Sequence, residues 1–506
     1  MAKKTVFLTG SSGNMGWYGF QELYKRRERF NLVLLNRDNK HARSMFAPYE
    51  NDPAVKLVWG DFTNYNDVLD CVTGADIVLH VGGMVSPAAD YDPKGTIHTN
   101  VTAAHNIVKA VKAQPNPDAI KVVYIGTVAQ TGERDTPIHW ARTGDPIKIS
   151  VYDHYAISKV IAESIFAESG LRRWVSLRQS GILHTNIIKR VDPIMFHLPI
   201  NGVLEWATVE DSGRLLANIC EDWVPANFWR RFYNISSGAD YRITNFEFKQ
   251  HLLKTLGLGD PRKLFNANWF ALRNFHGQWY ADSDVLERYL KFRENKPIKQ
   301  YFADIAMNLP WFYKFAKLAP KSFVKVFMMK KLAKTPRYGT LHWIKTNDLQ
   351  RIAAYFGSQT AWKAIGSWKQ FRIKHPSKKV ATLNHGWDED KGIANLTLAD
   401  LQQAAAFRGG EVASECYNGD PYQPVRWRCA YGHEFHMSPN LVLLGGHWCP
   451  KELPGPTGGD WLRGFIPWRY DAEARVNPFF AQVWYPLHGK DEDNVYGLEI
   501  YPELTE

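Results

Sequence analysis

The sequence predicts a doubly wound α/β fold, a parallel sheet with helices on both faces, followed by a small C-terminal α+β module. Three observations predict it. Short apolar runs at Lys4–Thr9, Leu32–Leu35, Val55–Trp59 and Asp76–Val81 alternate with helix-length segments, the pattern of stacked strand–helix–strand units. The first run passes directly into Gly10-Ser11-Ser12-Gly13-Asn14-Met15-Gly16 and then into a helix reaching about Arg27. Far downstream the alternation gives way to cysteine and histidine at ligand-like spacing.

The glycine turn is the dinucleotide-binding signature of a Rossmann fold. Gly10 permits a tight turn after Thr9, and Gly13 lets backbone approach a pyrophosphate. Gly16 lets the helix pack closely on the strand, and the N–H groups of the helix start face the anion. The second strand ends at Asn36-Arg37-Asp38. A carboxylate there usually accepts from the ribose 2′-hydroxyl; Asn36 replaces it, and Arg37 suits a 2′-phosphate. NADP(H) is therefore favoured over NAD(H), with Asp38, one place late, keeping NAD open. The third strand delivers Asp61, able to reach an adenine amino group, beside Phe62. The fourth ends in Val81, Gly82 and Gly83, small enough for close cofactor approach.

Tyr155 and Lys159 lie four residues apart, so a helix places them on one face. A phenol with a pKa near ~10 is a poor acid–base group at neutral pH, and an ammonium one turn away favours the phenolate. The pair alone is common by chance; the glycine turn ahead of it gives it meaning.

These residues together resemble the extended short-chain dehydrogenase/reductases, the family of sugar-nucleotide epimerases, 3β-hydroxysteroid dehydrogenases and dihydroflavonol-type ketone reductases. The resemblance runs from about residue 4 to about 255, and more weakly to about 300. Thr9-Gly10-x-x-Gly13-x-x-Gly16 matches its glycine motif, Asp61 its adenine-contacting aspartate and Asn100 the asparagine of its central helix. Val122–Thr127 matches the strand that delivers a catalytic hydroxyl, here Thr127. Leu177–Ile182 matches the strand after the catalytic helix, whose end brings Gln179 and Ser180 to cofactor and substrate. Trp206–Asp211 and Tyr233–Gly238 match later segments.

The resemblance implies hydride transfer at a carbon bearing oxygen. Tyr155 would exchange the proton, Thr127 would hydrogen-bond the oxygen, and Lys159 would bind the nicotinamide ribose and hold down the tyrosine pKa. Its cofactor contacts would be Thr9, Gly10, Gly13, Asn14, Met15, Gly16, Asn36, Arg37, Asp61, Phe62, Val81, Gly82, Gly83, Asn100, Gln179 and Ser180, with Tyr155 and Lys159. Val128-Ala129 stands where sugar 4,6-dehydratases carry an Asp-Glu pair, which argues against dehydration. The apolar loop Gly83–Tyr91, with no evident diphosphate clamp, points to a ketone/alcohol pair on a moderately apolar small molecule. A sugar-nucleotide epimerase using NAD, and a non-catalytic NADP(H)-binding sensor or scaffold, remain as alternatives. His154 reads as a surface or substrate-side residue, and Tyr152 as packing.

Composition fits a soluble enzyme. The 506 residues are 45% hydrophobic, with net charge +11, pI near 9.1 and five cysteines. The odd cysteine count gives no reason to expect secretion. The chain enters a strand at once, so no signal peptide is expected, and no apolar run approaches the ~20 residues of a spanning helix. The cytoplasm is the expected compartment. The domain reading is residues 1–300 for the Rossmann and substrate part, 301–378 for a basic, aromatic helical segment and 379–506 for the tail. Trp311 to Tyr338 carries Lys314, Lys317, Lys321, Lys325, Lys330, Lys331, Lys334 and Arg337 without one acid, interleaved with Phe312, Phe315, Phe323 and Phe327. That run reads either as a packing helix with solvated lysines or as an amphipathic surface for peripheral contact with an anionic membrane. No nucleic-acid module is recognisable.

The tail resembles a treble-clef zinc module with the pattern Trp-x-Cys-x-x-Gly-His-x-Trp followed by Trp-Cys-Pro-x-Cys. Cys429, His433 and Cys449 match its ligand positions, and Glu452 stands where the last cysteine belongs. The resemblance implies a structural zinc site, either completed by Cys416 as fourth ligand or decayed with the loss of the last cysteine. The module is open to partner binding, closing over the active site or supporting a homodimer.

Overall fold

The computed structural model describes residues 3–189, 191–457 and 464–505. Seven strands form one parallel sheet: β1 (Lys4–Thr9), β2 (Phe30–Asn36), β3 (Val55–Trp59), β4 (Ile77–His80), β5 (Lys121–Thr127), β6 (Trp174–Gln179) and β7 (Arg231–Ile235). Their order is β7-β6-β5-β4-β1-β2-β3, and every pairing is parallel. The order reverses between β1 and β4, where an open α/β sheet forms its ligand crevice. The doubly wound fold expected from the alternation is the one observed.

The central strands β1, β2, β4 and β5 are buried on both faces, which explains why they are mostly apolar. Val6 and Leu8 point into one layer with Phe20, Leu23, Leu215 and Leu216; Phe7, between them, points into the other with Ala104, Ile107 and Phe166. That alternation is the two-residue period of a strand. The helices Asn14–Tyr24 and Val209–Asn218 cover the first face, and Pro93–Lys112 and His154–Ala167 cover the second.

The tail does not keep a core to itself. Its antiparallel strands Glu411–Val412, Val425–Arg428 and Glu434–Met437 bring Trp427, Phe435 and Met437 into the cluster that holds Trp174 and Phe232 of the main sheet. The helices Leu349–Phe356, Tyr470–Val476 and Pro478–Trp484 enclose Val151 and Ile157, around the start of the helix His154–Ala167.

One buried charge cluster joins tail and sheet. Glu163 accepts from Arg178 Nε at 3.1 Å and Nη2 at 2.6 Å, and from Ser176 Oγ at 2.5 Å. His447 Nε2 lies 2.9 Å from the same carboxylate, and Arg178 also donates to the Gly445 carbonyl at 2.6 Å. Burial alone would raise the Glu163 carboxyl, but Arg178 and His447 hold it well below the ordinary range. Among the described residues, no helix is long and apolar enough to cross a membrane.

Candidate active site

The glycine turn is built as its spacing predicts. Gly10 has φ +71°, and a Cβ there would sit 2.6 Å from the Gly82 Cα. A Cβ on Gly16 would fall 2.1 Å from the Gly10 carbonyl oxygen, so any side chain would push the helix off the strand. Gly13 is different: within 4 Å its Cβ would meet only the Gly10 carbonyl oxygen, at 3.3 Å, leaving an open mouth. Gly13 is also the N-cap of the helix Asn14–Tyr24, which has no side-chain cap and no acid in its first turn. The first-turn N–H groups, Asn14 and Met15 among them, thus face an opening with no carboxylate, which fits a pyrophosphate.

Around this mouth the strand ends are tied together. The Thr9 hydroxyl accepts from Gly82 N at 3.0 Å and lies 3.0 Å from His80 Nδ1, joining β1 to β4. Val81, Gly82 and Gly83 follow, with the edge of Phe62 close against Gly82. Asn36 is buried; its Oδ1 accepts from Ser11 Oγ at 3.0 Å, while its Nδ2 has no protein partner. A buried donor without a partner at the end of β2 fits an oxygen of a bound nucleotide. Arg37 is exposed beside it. Asp38 is engaged elsewhere, accepting from Arg43 Nε at 2.6 Å and Nη2 at 2.8 Å, with Arg43 4.5 Å above the Trp59 ring. Asp61 Oδ1 accepts from Thr63 N and Oγ1, both at 2.8 Å.

Asn100 and the strand-end pair Gln179 and Ser180 are held by the protein itself. Asn100 donates to Ser158 Oγ at 2.8 Å and Met84 O at 3.0 Å and accepts from Met84 N at 2.8 Å, clamping the loop after β4 to the helix His154–Ala167. Gln179 donates to Ser180 O at 3.1 Å and accepts from Ser212 Oγ at 3.2 Å, while Ser180 Oγ donates to Glu205 O.

Thr127, Tyr155 and Lys159 come together. Thr127 ends β5 and caps the turn Val128–Gln130, whose Gln130 side chain accepts from Thr127 N at 2.8 Å. Asp153 caps the helix His154–Ala167 through Ala156 N at 2.8 Å, which puts Tyr155 in the first turn. The Thr127 side chain adjoins the Tyr155 phenol and opposes the rise that burial imposes on it. Lys159, one turn on, is buried with its Nζ 4.6 Å from the Tyr124 ring centroid, and Tyr124 Oη donates to the Lys159 carbonyl at 2.9 Å.

The electrostatics differ from the sequence expectation. Burial raises the Tyr155 phenol above its ordinary value, with Thr127 opposing, and burial lowers Lys159 to about 7 against the pull of Glu163. Desolvation dominates both groups, and the expected lowering of the phenol by the ammonium is not seen. His154 also departs from expectation. It is neither on the surface nor facing substrate but fully buried, edge-on to Trp468 and Tyr501 of the tail, and burial lowers it to about 4. Tyr152 is a packing residue, its hydroxyl donating to Gln350 at 2.6 Å.

A small cavity of about 30 Å³ with Glu133, Asp135, Trp206, Asn245, Phe275 and His276 in its lining was not foreseen. His276 Nδ1 is 3.3 Å from Asp153, the cap of the helix His154–Ala167, linking this cavity to the Tyr155 turn. Burial raises Glu133 and pushes Asp135 up to about 7. The only local signal was Asp153 ahead of a helix start; the cavity is assembled from loops distant in sequence.

In the tail, Cys429, His433, Cys449 and Glu452 place their ligand atoms within 4.8 Å of one another. Cys416 is exposed and outside this group, correcting the expected fourth ligand. The reason is local: Glu452 folds back one turn after Cys449, with Glu452 N donating to Cys449 O at 3.1 Å, so its carboxylate reaches 2.7 Å from His433 Nδ1. Two sulfurs, an imidazole and a carboxylate fit a four-coordinate zinc.

The part of the chain that carries this crevice has known relatives. Residues 6–178 match the model of the NAD dependent epimerase/dehydratase family. Among curated relatives, the UDP-glucose 4-epimerase of Rickettsia bellii (strain RML369-C) is 29% identical over 111 residues, 21% of this chain and 32% of the relative. That of Rickettsia prowazekii (strain Madrid E) is 27% identical over 132 residues, 24% of this chain and 36% of the relative. The match thus spans about a third of the relatives' length. Among solved structures, dTDP-glucose 4,6-dehydratase from Bacillus anthracis in complex with NAD aligns with TM-score 0.48 at 14% identity, covering 62% of this chain and 97% of that one. The Bordetella bronchiseptica enzyme WbmG in complex with NAD and UDP aligns with TM-score 0.47 at 14% identity, over 62% and 97%. The matched residues 6–178 contain the glycine turn, Thr127, Tyr155 and Lys159, so the likeness to the NAD dependent epimerase/dehydratase family falls on this crevice.

Proposed function

We propose that this chain is an enzyme that moves hydride between a nicotinamide dinucleotide and a carbon bearing oxygen. The observation that carries the reading is the Thr127–Tyr155 hydroxyl pair at the end of β5, on the same crevice as an uncapped, glycine-opened helix N-terminus. The bound dinucleotide supplies or removes the hydride. Tyr155, kept protonated by burial, donates to the developing alkoxide in reduction and takes the proton back in oxidation. Thr127 holds the reacting oxygen, and Lys159 binds the nicotinamide ribose. With a pKa near 7, the charge on Lys159 responds to whatever binds beside it.

For the substrate, the activity named for the relatives favours reversible oxidation and re-reduction of a sugar-nucleotide hydroxyl over net reduction of an apolar ketone. The ketone-reductase reading rests on the apolar loop Gly83–Tyr91. One assay separates them. An epimerase interconverts UDP-glucose and UDP-galactose without net consumption of dinucleotide. A reductase consumes NADPH with a steroid, flavonoid or terpenoid ketone and leaves the sugar nucleotides untouched.

We assign NADP(H) as the preferred cofactor, because Asn36 offers a donor, Arg37 is exposed and Asp38 is neutralised by Arg43. Arg37→Ala should weaken NADPH about tenfold, ~1.4 kcal/mol, and leave NADH nearly unaffected. Equal losses for both nucleotides in a fluorescence titration contradict the assignment.

We also assign a structural zinc to Cys429, His433, Cys449 and Glu452. Metal analysis of the purified protein should find about one zinc per chain, lost in Cys429→Ser and retained in Cys416→Ser. Loss in Cys416→Ser instead would restore the ligand set expected from sequence.

A further inference from the structure

The basic run after the substrate part presents an apolar crest to solvent. Lys321–Phe323, Val324–Met329 and Lys330–Ala333 form a continuous helical segment whose middle is a π-helix. Val324, Met329 and Ala333 are buried in one cluster with Leu258, Phe265 and Trp269. The π register spaces the inward residues Val324 and Met329 five apart, which rotates their neighbours outward. Phe323, Val326, Phe327 and Met328 are consequently exposed by 52%, 49%, 63% and 50%, with Phe323 and Phe327 stacked at 4.9 Å. Leu318, before the helix, is 68% exposed. The side chains of Phe312, Lys314 and Phe315 lie outside the described ones.

Cations flank this crest. Lys317, Lys321, Lys330, Lys331 and Lys334 are exposed, and among the described residues none forms an ion pair. No acid occurs between Trp311 and Tyr338 to neutralise them.

We propose that this face docks the protein on the surface of an anionic lipid bilayer. The acyl boundary would take the phenylalanines and Met328, while the lysines remain at the level of acidic headgroups. A contiguous exposed apolar patch rimmed by charge is an interaction surface. A second copy of this chain on the same face would bring the two sets of lysines together, and an acidic protein partner would satisfy the lysines but needs a groove shaped for four apolar side chains. An anionic bilayer accepts both features without such a shape.

Flotation of the full-length protein with phosphatidylcholine vesicles, with and without phosphatidylserine, tests the proposal. Binding should require phosphatidylserine and be reversed by raised salt. Phe323→Ser with Phe327→Ser should weaken it at least about tenfold, and Lys330→Glu with Lys331→Glu should abolish it. These positions are exposed, so the melting temperature should hold in both variants. No flotation with anionic vesicles overturns the proposal, as does flotation that the substitutions leave unchanged. Sedimentation showing a dimer that the phenylalanine substitutions dissociate, without vesicle binding, would assign the face to a second copy instead.

Discussion

Tyr155→Phe should reduce turnover by about 10²–10⁴-fold, the usual worth of a positioned general acid–base group, while dinucleotide affinity stays close to that of the native protein. The ring remains and fills the same space, so the helix and its Asp153 cap are undisturbed. What is lost is one hydroxyl, the group that adjoins the Thr127 side chain. An equal loss of binding and turnover would mean that the substitution damaged the fold. Undiminished turnover would remove Tyr155 from the mechanism. Thr127→Val gives a companion test: the reacting oxygen loses its second partner, and turnover should fall by a smaller factor with the cofactor still bound.

Glu163→Gln should be the most damaging single change to stability, about 3–5 kcal/mol, because it leaves the buried Arg178 guanidinium without its counter-charge. Glu163 is fully buried, Arg178 is 1% exposed, and the pair holds Gly445 and His447 of the tail against the sheet. Replacing both partners, as Glu163→Gln with Arg178→Met, should recover part of the loss, since no unpaired charge is then buried. The acid limb carries the sign. Glu163 is depressed in the folded protein, so its contribution is complete above the ordinary carboxylate range near ~4.3. It fades as pH falls below that value, and Glu163→Gln should flatten this part of the stability profile. Glu163 also favours the charged form of Lys159 one turn away, so the variant should shift the Lys159 titration further down and move the pH dependence of turnover with it. Undiminished stability of the Glu163→Gln variant would show that the tail is held by apolar packing alone.

What could be read from the sequence was local. Gly10 and Gly16 are dictated by backbone geometry, and Tyr155 and Lys159 share a helical turn, so spacing suffices for both. Thr127 followed from the resemblance of Val122–Thr127 to the family's hydroxyl-bearing strand. The Glu163–Arg178–His447 cluster could not be read, because His447 arrives from 284 residues away. His154 was misjudged for the same reason: periodicity places it off the Tyr155 face, but the rings that cover that face, Trp468 and Tyr501, come from the tail. Charge logic between Tyr155 and Lys159 failed because proximity was visible and burial was not. In the tail, a cysteine looked the better ligand by chemistry, yet the turn after Cys449 delivers Glu452 and leaves Cys416 in solvent.

The most direct test of the central claim is a crystal structure of the protein soaked with NADP⁺. The pyrophosphate should lie on the N–H groups of the helix that Gly13 opens, with the 2′-phosphate at Asn36 and Arg37 and the nicotinamide ring beside the Thr127 and Tyr155 hydroxyls. Dinucleotide density away from the glycine turn, or a nicotinamide ring out of reach of Tyr155, would contradict it.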